Sequence, residues 1–344
     1  MVSNSILYIG RKVLFLDSLV PRGYHWSGAR SGRDLNNSLK KKENRILIDA
    51  HNHPNWHGFD AGKILRNMDE QDIDQMWLFS WEVPENEYAP SYHAVLPPTG
   101  MGIPFADVLA VGREAPDRFV LGYMPHPKRP DAIDRLKAAV EIHGVQTASE
   151  LKVRLPFDDP DALRLYDAAG QLRLPITIHL DYPIDHGKGD YPRPNWWYGG
   201  SLDAFERALI ACPDTVFIGH APGFWAHISG DGRHDKESYP SGPVLPVGRM
   251  PQIMRKHPNL YADLSAGSGL RALQRDRAFG REFLIEFQDK LLFGRDYFDT
   301  RLMDYLRDLD LPREAFAKIT YQNAERLLSS YMDEPLVAAQ SGDQ

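Results

Sequence analysis

The chain has a single cysteine, Cys212. This excludes an intrachain disulfide framework and a cysteine-rich zinc site, and it fits a reducing, cytoplasmic setting. No apolar run approaches the roughly 18 uninterrupted residues of a membrane span. The apolar opening SILYIGRKVLFL is broken by Arg11 and Lys12, and no small-residue cleavage site follows it; it reads as neither signal peptide nor anchor, and a soluble protein is expected. Lysine and arginine are scattered, and the net charge is −7, so the chain lacks the basic footprint of a nucleic-acid binder. No glycine-rich loop of the G-x-G-x-x-G or G-K-[ST] kind follows any apolar run, which removes the usual mark of a nucleotide-binding doubly wound sheet.

What is present is a rhythm. Short apolar runs with strand character occur at ILIDAH (46–51), MWLFSW (76–81), FVLGYM (119–124), ASELKVR (148–154), PITIHL (175–180), TVFIGH (215–220), LYADLS (260–265) and KLLFGRD (290–296). Amphipathic stretches separate them, such as DPDALRLYDAAGQLR, in which Leu163, Tyr166 and Ala169 fall at helical spacing. Alternating strands and helices imply a parallel sheet, and eight repeats close it into a (β/α)8 TIM barrel; an open doubly wound sheet is the alternative. The barrel is expected over 45–332, preceded by a loosely structured extension over 1–44 and followed by a tail over 333–344. Two long connections, 181–201 and 221–247, follow the fifth and sixth strands and would overhang the C-terminal mouth, where barrel active sites form.

Polar residues interrupt the ends of the apolar strands. The first ends in His51 and His53, the fourth carries Glu150 and Lys152, the fifth ends in His179, the sixth in His220 and the eighth in Asp296. Side chains two apart on a strand share a face, so His51 and His53 can converge on one point, as can Glu150 and Lys152. One His-x-His among 13 histidines carries little weight. Four such residues at the mouth of one barrel point to a metal, because imidazole nitrogens and a carboxylate supply the shell of a catalytic zinc. A cation there would bring the pKa of water toward about 7, with Asp296 able to take the proton. Glu150 and Lys152 also suit a buried ion pair, and His220 a structured turn. Trp196, Trp197 and Trp225 in the long loops suit an apolar wall over substrate, Trp225 foremost, or the packing of those loops.

These residues together resemble the amidohydrolase superfamily, and within it the amidohydrolase-2 branch that includes aminocarboxymuconate semialdehyde decarboxylase. IDAHNH is similar to the family's first-strand His-x-His, LPITIHL to its strand-five histidine, FIGHAPG to its strand-six histidine, LLFGRDY to its strand-eight aspartate, and YQNAERLL to its terminal helix. The resemblance implies that His51, His53, His179 and Asp296 hold a metal and that His220 polarises substrate or shuttles a proton. It implies one divalent cation, zinc by default with manganese or iron as alternatives. A second cation is the variant in which strand four contributes a bridging ligand such as Glu150.

The leading expectation is hydrolysis of a small lactone, amide or ester by metal-activated water. Non-oxidative decarboxylation of a small or aromatic carboxylic acid is the runner-up, with Lys152 and Arg154 on one strand face to receive an anion. A non-catalytic ligand-binding barrel is the third reading. A small molecule is the expected partner, and a homodimer would be an ordinary assembly.

Overall fold

Strands and helices alternate in the order that the apolar rhythm predicts: β1 (Ile48–Asn52), α1 (Ala61–Glu70), β2 (Gln75–Phe79), α2 (Phe105–Glu114), β3 (Phe119–Gly122), α3 (Ala132–His143), β4 (Glu150–Leu151), α4 (Pro160–Gln171), β5 (Ile176–His179), α5 (Leu202–Ala211), β6 (Phe217–His220), α6 (Arg249–Lys256), β7 (Leu260–Asp263), α7 (Arg277–Glu286), β8 (Leu291–Leu292) and α8 (Arg301–Asp308). This computed structural model describes residues 46–84, 102–182 and 197–329. The expected extension over 1–44, the tail over 333–344, Trp196 and most of the strand-five loop lie outside the described residues.

Local chemistry sets the helix starts. Asp60, Asp159, Ser201 and Asp276 each cap a helix by accepting from a backbone N–H in its first turn. Pro160 occupies the opening position of α4, where its missing N–H costs nothing. Between the caps, buried residues recur at helical spacing, Ile64 and Met68 on α1 and Leu165 and Ala169 on α4. These faces lie against the sheet.

The strands pair in parallel as runs of three (β1-β2-β3) and five (β8-β7-β6-β5-β4). Backbone hydrogen bonds cross both seams between the runs. Gln146 N donates to Leu121 O (3.0 Å) and Tyr123 N to Thr147 O (3.2 Å) between β3 and β4, while Ala50 N donates to Phe293 O (2.9 Å) and Asp296 N to His51 O (2.8 Å) between β1 and β8. The chain is thus a TIM barrel, as expected. Alternate residues point inward: Ile48, Ala50, Trp77, Phe79, Val120, Ile218 and Leu292 form an interior cluster that Ala324 and Leu327 of the closing helix join. The opposite faces, including Met76, Ile176, Ile178 and Phe217, pack in the larger helix-facing cluster. Among the described residues no helix is long and apolar enough to cross a membrane.

On the outer layer, Glu206 of α5 accepts from Lys256 Nζ (2.8 Å) and from Arg249, and its carboxylate lies 3.1 Å from His257 Nε2. The Lys256 hydrogen bond, working against burial, brings its pKa down from 4.5 to about 2. A carboxyl depressed in the folded state adds stability above its unfolded pKa, and that contribution disappears as pH falls through the folded value. Glu206→Gln should therefore flatten the loss of stability between pH 4.5 and about 2, read by urea unfolding across that range. An acid limb identical to that of the parent would refute the coupling.

Candidate metal centre

One extra residue in β1 shapes the site. Its pairing with β2 runs Ile48 with Gln75 and Asp49 with Met76, then Asn52 with Leu78, so β1 carries one more residue than its partner over this stretch. Such a bulge resets the alternation of faces. His51 thereby joins Ile48 and Ala50 on the inner side, its ring 4.9 Å from Phe79 and 4.3 Å from His220. The His53 ring lies 5.3 Å from that of His51.

His53 Nδ1 lies 2.9 Å from the Phe79 carbonyl. A carbonyl only accepts, so Nδ1 is a donor there, which leaves Nε2 as the ring atom placed to ligate. That nitrogen faces two carboxylates, Glu150 Oε2 at 3.2 Å and Asp296 Oδ1 at 3.5 Å. Three electron-rich atoms converge there. His51 Nδ1 lies 2.7 Å from Asp263 Oδ2, and its buried Nε2 has no hydrogen-bond partner among the described residues, nor does Asp296 Oδ1. Asp296 is set at φ 49°, and Trp56 Nε1 donates to its carbonyl (3.0 Å).

His179 and His220 end adjacent strands in register, with rings 5.2 Å apart. His179 Nδ1 lies 2.6 Å from Glu150 Oε1 and its Nε2 3.1 Å from Asp181 Oδ2. His220 Nδ1 lies 2.9 Å from both Asp263 Oδ1 and Ser265 Oγ. Its Nε2, also without a hydrogen-bond partner among the described residues, is 3.6 Å from Glu150 Oε1 and 4.0 Å from Asp296 Oδ2. Gly219 beside it is required by packing, because a Cβ there would stand 2.3 Å from the Phe224 ring. Burial, the largest single influence on Glu150, raises its pKa, but the hydrogen bond and charge of His179, the hydrogen bond with His53 and the charge of Lys152 together outweigh it and hold the carboxyl well below its ordinary range. Burial likewise opposes ionisation of Asp263, and His220 with His51 overrides it.

The ligand atoms fall into neighbouring groups. His51, His53 and Asp296 lie within 4.8 Å of one another, as do Glu150, His179 and His220. Of the four residues expected to share one ion, three are in the first group and His179 is in the second, which also includes Glu150. His51, His53 and His220 anchor Nδ1 on Asp263 or the Phe79 carbonyl and turn Nε2 toward the centre, the arrangement that metal ligation by histidine uses, whereas His179 turns Nδ1 to Glu150 and Nε2 to Asp181. The donor set fits a divalent cation.

A family profile described as amidohydrolase matches residues 48–329. The chain belongs to the amidohydrolase family. No curated protein matches it by sequence. Among solved structures, an uncharacterised TIM-barrel protein from Bordetella bronchiseptica is similar at TM-score 0.56 and 17% identity, covering 83% of this chain and 99% of that one. The 5-carboxyvanillate decarboxylase of Sphingomonas paucimobilis matches at TM-score 0.56 and 16% identity over 83% and 99% of the two chains. A dihydroxybenzoic acid decarboxylase from Polaromonas, with bound manganese and 2-nitroresorcinol, matches at 0.55 and 16% over 83% and 97%. At these identities the likeness is one of fold. The family's members are metal-dependent hydrolases or decarboxylases, and this amidohydrolase is an enzyme of that kind.

The structure places the other expected residues of the amidohydrolase as follows. Trp225 is 1% exposed, its ring edge-on to Phe224 and Phe283, and its indole N–H donates to the Asp263 carbonyl (3.0 Å). It packs the strand-six loop and props β7 instead of walling substrate, because an indole that large finds its partners in the core. Glu150 contacts imidazoles, while the Lys152 ammonium lies 4.5 Å from the Trp81 ring centre and 5.2 Å from that of Tyr198. Arg154 lies 6.0 Å from Tyr198, whose ring is in turn edge-on to His179 at 5.4 Å. Asp296 lines a cavity of about 380 Å³ with Trp56, Gly294 and Tyr297. Arg154 lines another of about 910 Å³ with Trp81, Phe105, His126 and Lys128.

Sequence reasoning passed over Asp263, Ser265 and Asp181. Asp263 had a legible signal, since it interrupts the seventh apolar run near its end, as His179 does the fifth. Asp181 falls at the start of a long loop, where an acidic residue is unremarkable.

Proposed function

We propose that this amidohydrolase binds a divalent cation at His51, His53 and Asp296 and hydrolyses a small organic substrate such as a lactone, amide or ester. The observation that carries the reading is the convergence of His53 Nε2, Asp296 Oδ1 and the unpartnered Nε2 of His51, with the Glu150 carboxylate beside them, a buried set of donor atoms that a cation would satisfy. Glu150, His179 and His220 would receive a second cation at higher metal concentration. Zinc is the default; manganese and iron suit the same donors.

A cation held there supplies Lewis-acid polarisation of a substrate oxygen and acidifies water. The rest falls to the chain. Asp296 Oδ1, without a hydrogen-bond partner among the described residues, accepts the proton of the attacking water. His220, its Nδ1 held by Asp263, takes that proton over from Asp296 at Nε2 as an imidazolium paired with the Asp263 carboxylate and delivers it to the leaving group, which leaves both groups as they began. The buried walls exclude bulk water, which strengthens each of these interactions.

A second reading, decarboxylation of a carboxylic acid, is favoured by the two cations Lys152 and Arg154 near the Tyr198 ring and by the place of Arg154 in the lining of the 910 Å³ cavity. Elemental analysis of the purified enzyme should find at least one equivalent of zinc, manganese or iron. Lactones and aromatic acids then separate the reactions, since hydrolysis releases a proton and decarboxylation releases carbon dioxide. A metal-free protein that binds no added zinc would leave only a ligand-binding barrel.

A further inference from the structure

Asp263 is completely shielded from solvent, and its two oxygens serve different imidazoles. Oδ2 lies 2.7 Å from His51 Nδ1, and Oδ1 lies 2.9 Å from His220 Nδ1. We propose that Asp263 is a positioning residue shared between the two: it holds His51 and His220 each as the Nδ1–H tautomer, so that both Nε2 lone pairs turn toward the centre. The proposal deepens the reading of His51 as ligand and His220 as proton carrier, and rests on it. One carboxylate thus couples a group that binds the cation to a group that moves the proton.

The two oxygens are not equivalent. Oδ1 accepts from Ser265 Oγ (2.7 Å) and Ser265 N (3.2 Å) and also faces His220, whereas Oδ2 faces only His51. Asp263→Asn keeps the shape but leaves one acceptor and introduces an N–H donor. The amide oxygen will stay where three donors converge, which places the NH2 against His51 Nδ1. Two N–H groups cannot face each other. His51 relieves the conflict by carrying its proton on Nε2, so it loses the lone pair that would hold a cation, while His220 keeps its tautomer.

The test is ¹⁵N and ¹³C NMR of histidine-labelled, metal-free enzyme, with the two rings assigned from His51→Asn and His220→Asn. In the parent both rings should be Nδ1–H. In Asp263→Asn only His51 should switch to Nε2–H, and Zn²⁺ affinity measured by equilibrium dialysis should fall roughly 10- to 100-fold. An Nε2–H ring in the parent, a switch at His220 with His51 unchanged, or no switch at all would each overturn the assignment. If circular dichroism shows Asp263→Asn unfolded, the parent spectrum decides alone. Failure of the parent to bind Zn²⁺ would sink the proposed function, whereas the tautomers would still judge Asp263.

Discussion

Asp296→Asn is expected to cut turnover by roughly 10²–10⁴-fold with the fold intact. The backbone at this position is held by Asp296 N on His51 O and by Trp56 Nε1 on the Asp296 carbonyl, and neither contact involves the side chain. Its φ of 49° lies in the left-handed region, which asparagine tolerates as well as aspartate. The substitution also removes a negative charge that lies close to His53 and, through His220, to Glu150, so stability should hold or rise slightly. On the proposed reading the amide cannot accept the proton of water and is a poorer ligand. Urea unfolding and kcat measured side by side make the test. A kcat near that of the parent in metal-loaded Asp296→Asn would remove Asp296 from the chemistry.

Arg295→Met is expected to cost about 3–5 kcal/mol of folding stability. Arg295 is buried beside Asp49, with Nε 2.7 Å from Asp49 Oδ2 and its backbone N–H 2.9 Å from Oδ1. Its Nη1 donates to Asn67 Oδ1 (2.9 Å) and Gln71 Oε1 (2.8 Å) on and just beyond α1. The pair therefore ties β1, β8 and α1 together across the seam that closes the barrel. Without the guanidinium, a fully buried carboxyl group loses its charged partner, which is the expensive way to break an ion pair. The double variant Asp49→Leu with Arg295→Met should recover part of the loss, since neither charge is then stranded. Urea unfolding of the two variants tests this. A loss below about 1 kcal/mol for Arg295→Met, the range of an exposed pair, would show that the seam does not depend on it.

The barrel was legible because its causes are local. Each apolar run has the composition of a strand covered on both faces, the intervening stretches have helical spacing, half of their helices open on a capping side chain, and the strands formed where those runs lie. The polar strand ends were legible for the same reason, since His51, His53, His179, His220 and Asp296 interrupt runs that are otherwise apolar. The surroundings of Trp225 were not legible, because a tryptophan in a long loop reads alike whether it faces a ligand or the core, where this one is buried.

What determined the site's inner order lies beyond any such pattern. Strict alternation from Ile48 and Ala50 would turn Asn52 inward; only the extra residue of β1 against β2 brings His51 and His53 in. The overlapping groups of ligand atoms, the single Asp263 carboxylate between two imidazoles, and the Asp49–Arg295 tie across the closing seam depend on contacts between residues 212, 43 and 246 positions apart. The sequence by itself determined which segments become strands and helices and which chemistry stands at their ends, because propensity and burial act on neighbours along the chain. The tertiary structure decided which of those groups meet and which atom each presents, because distances of 3 Å between remote residues depend on strand register and barrel closure.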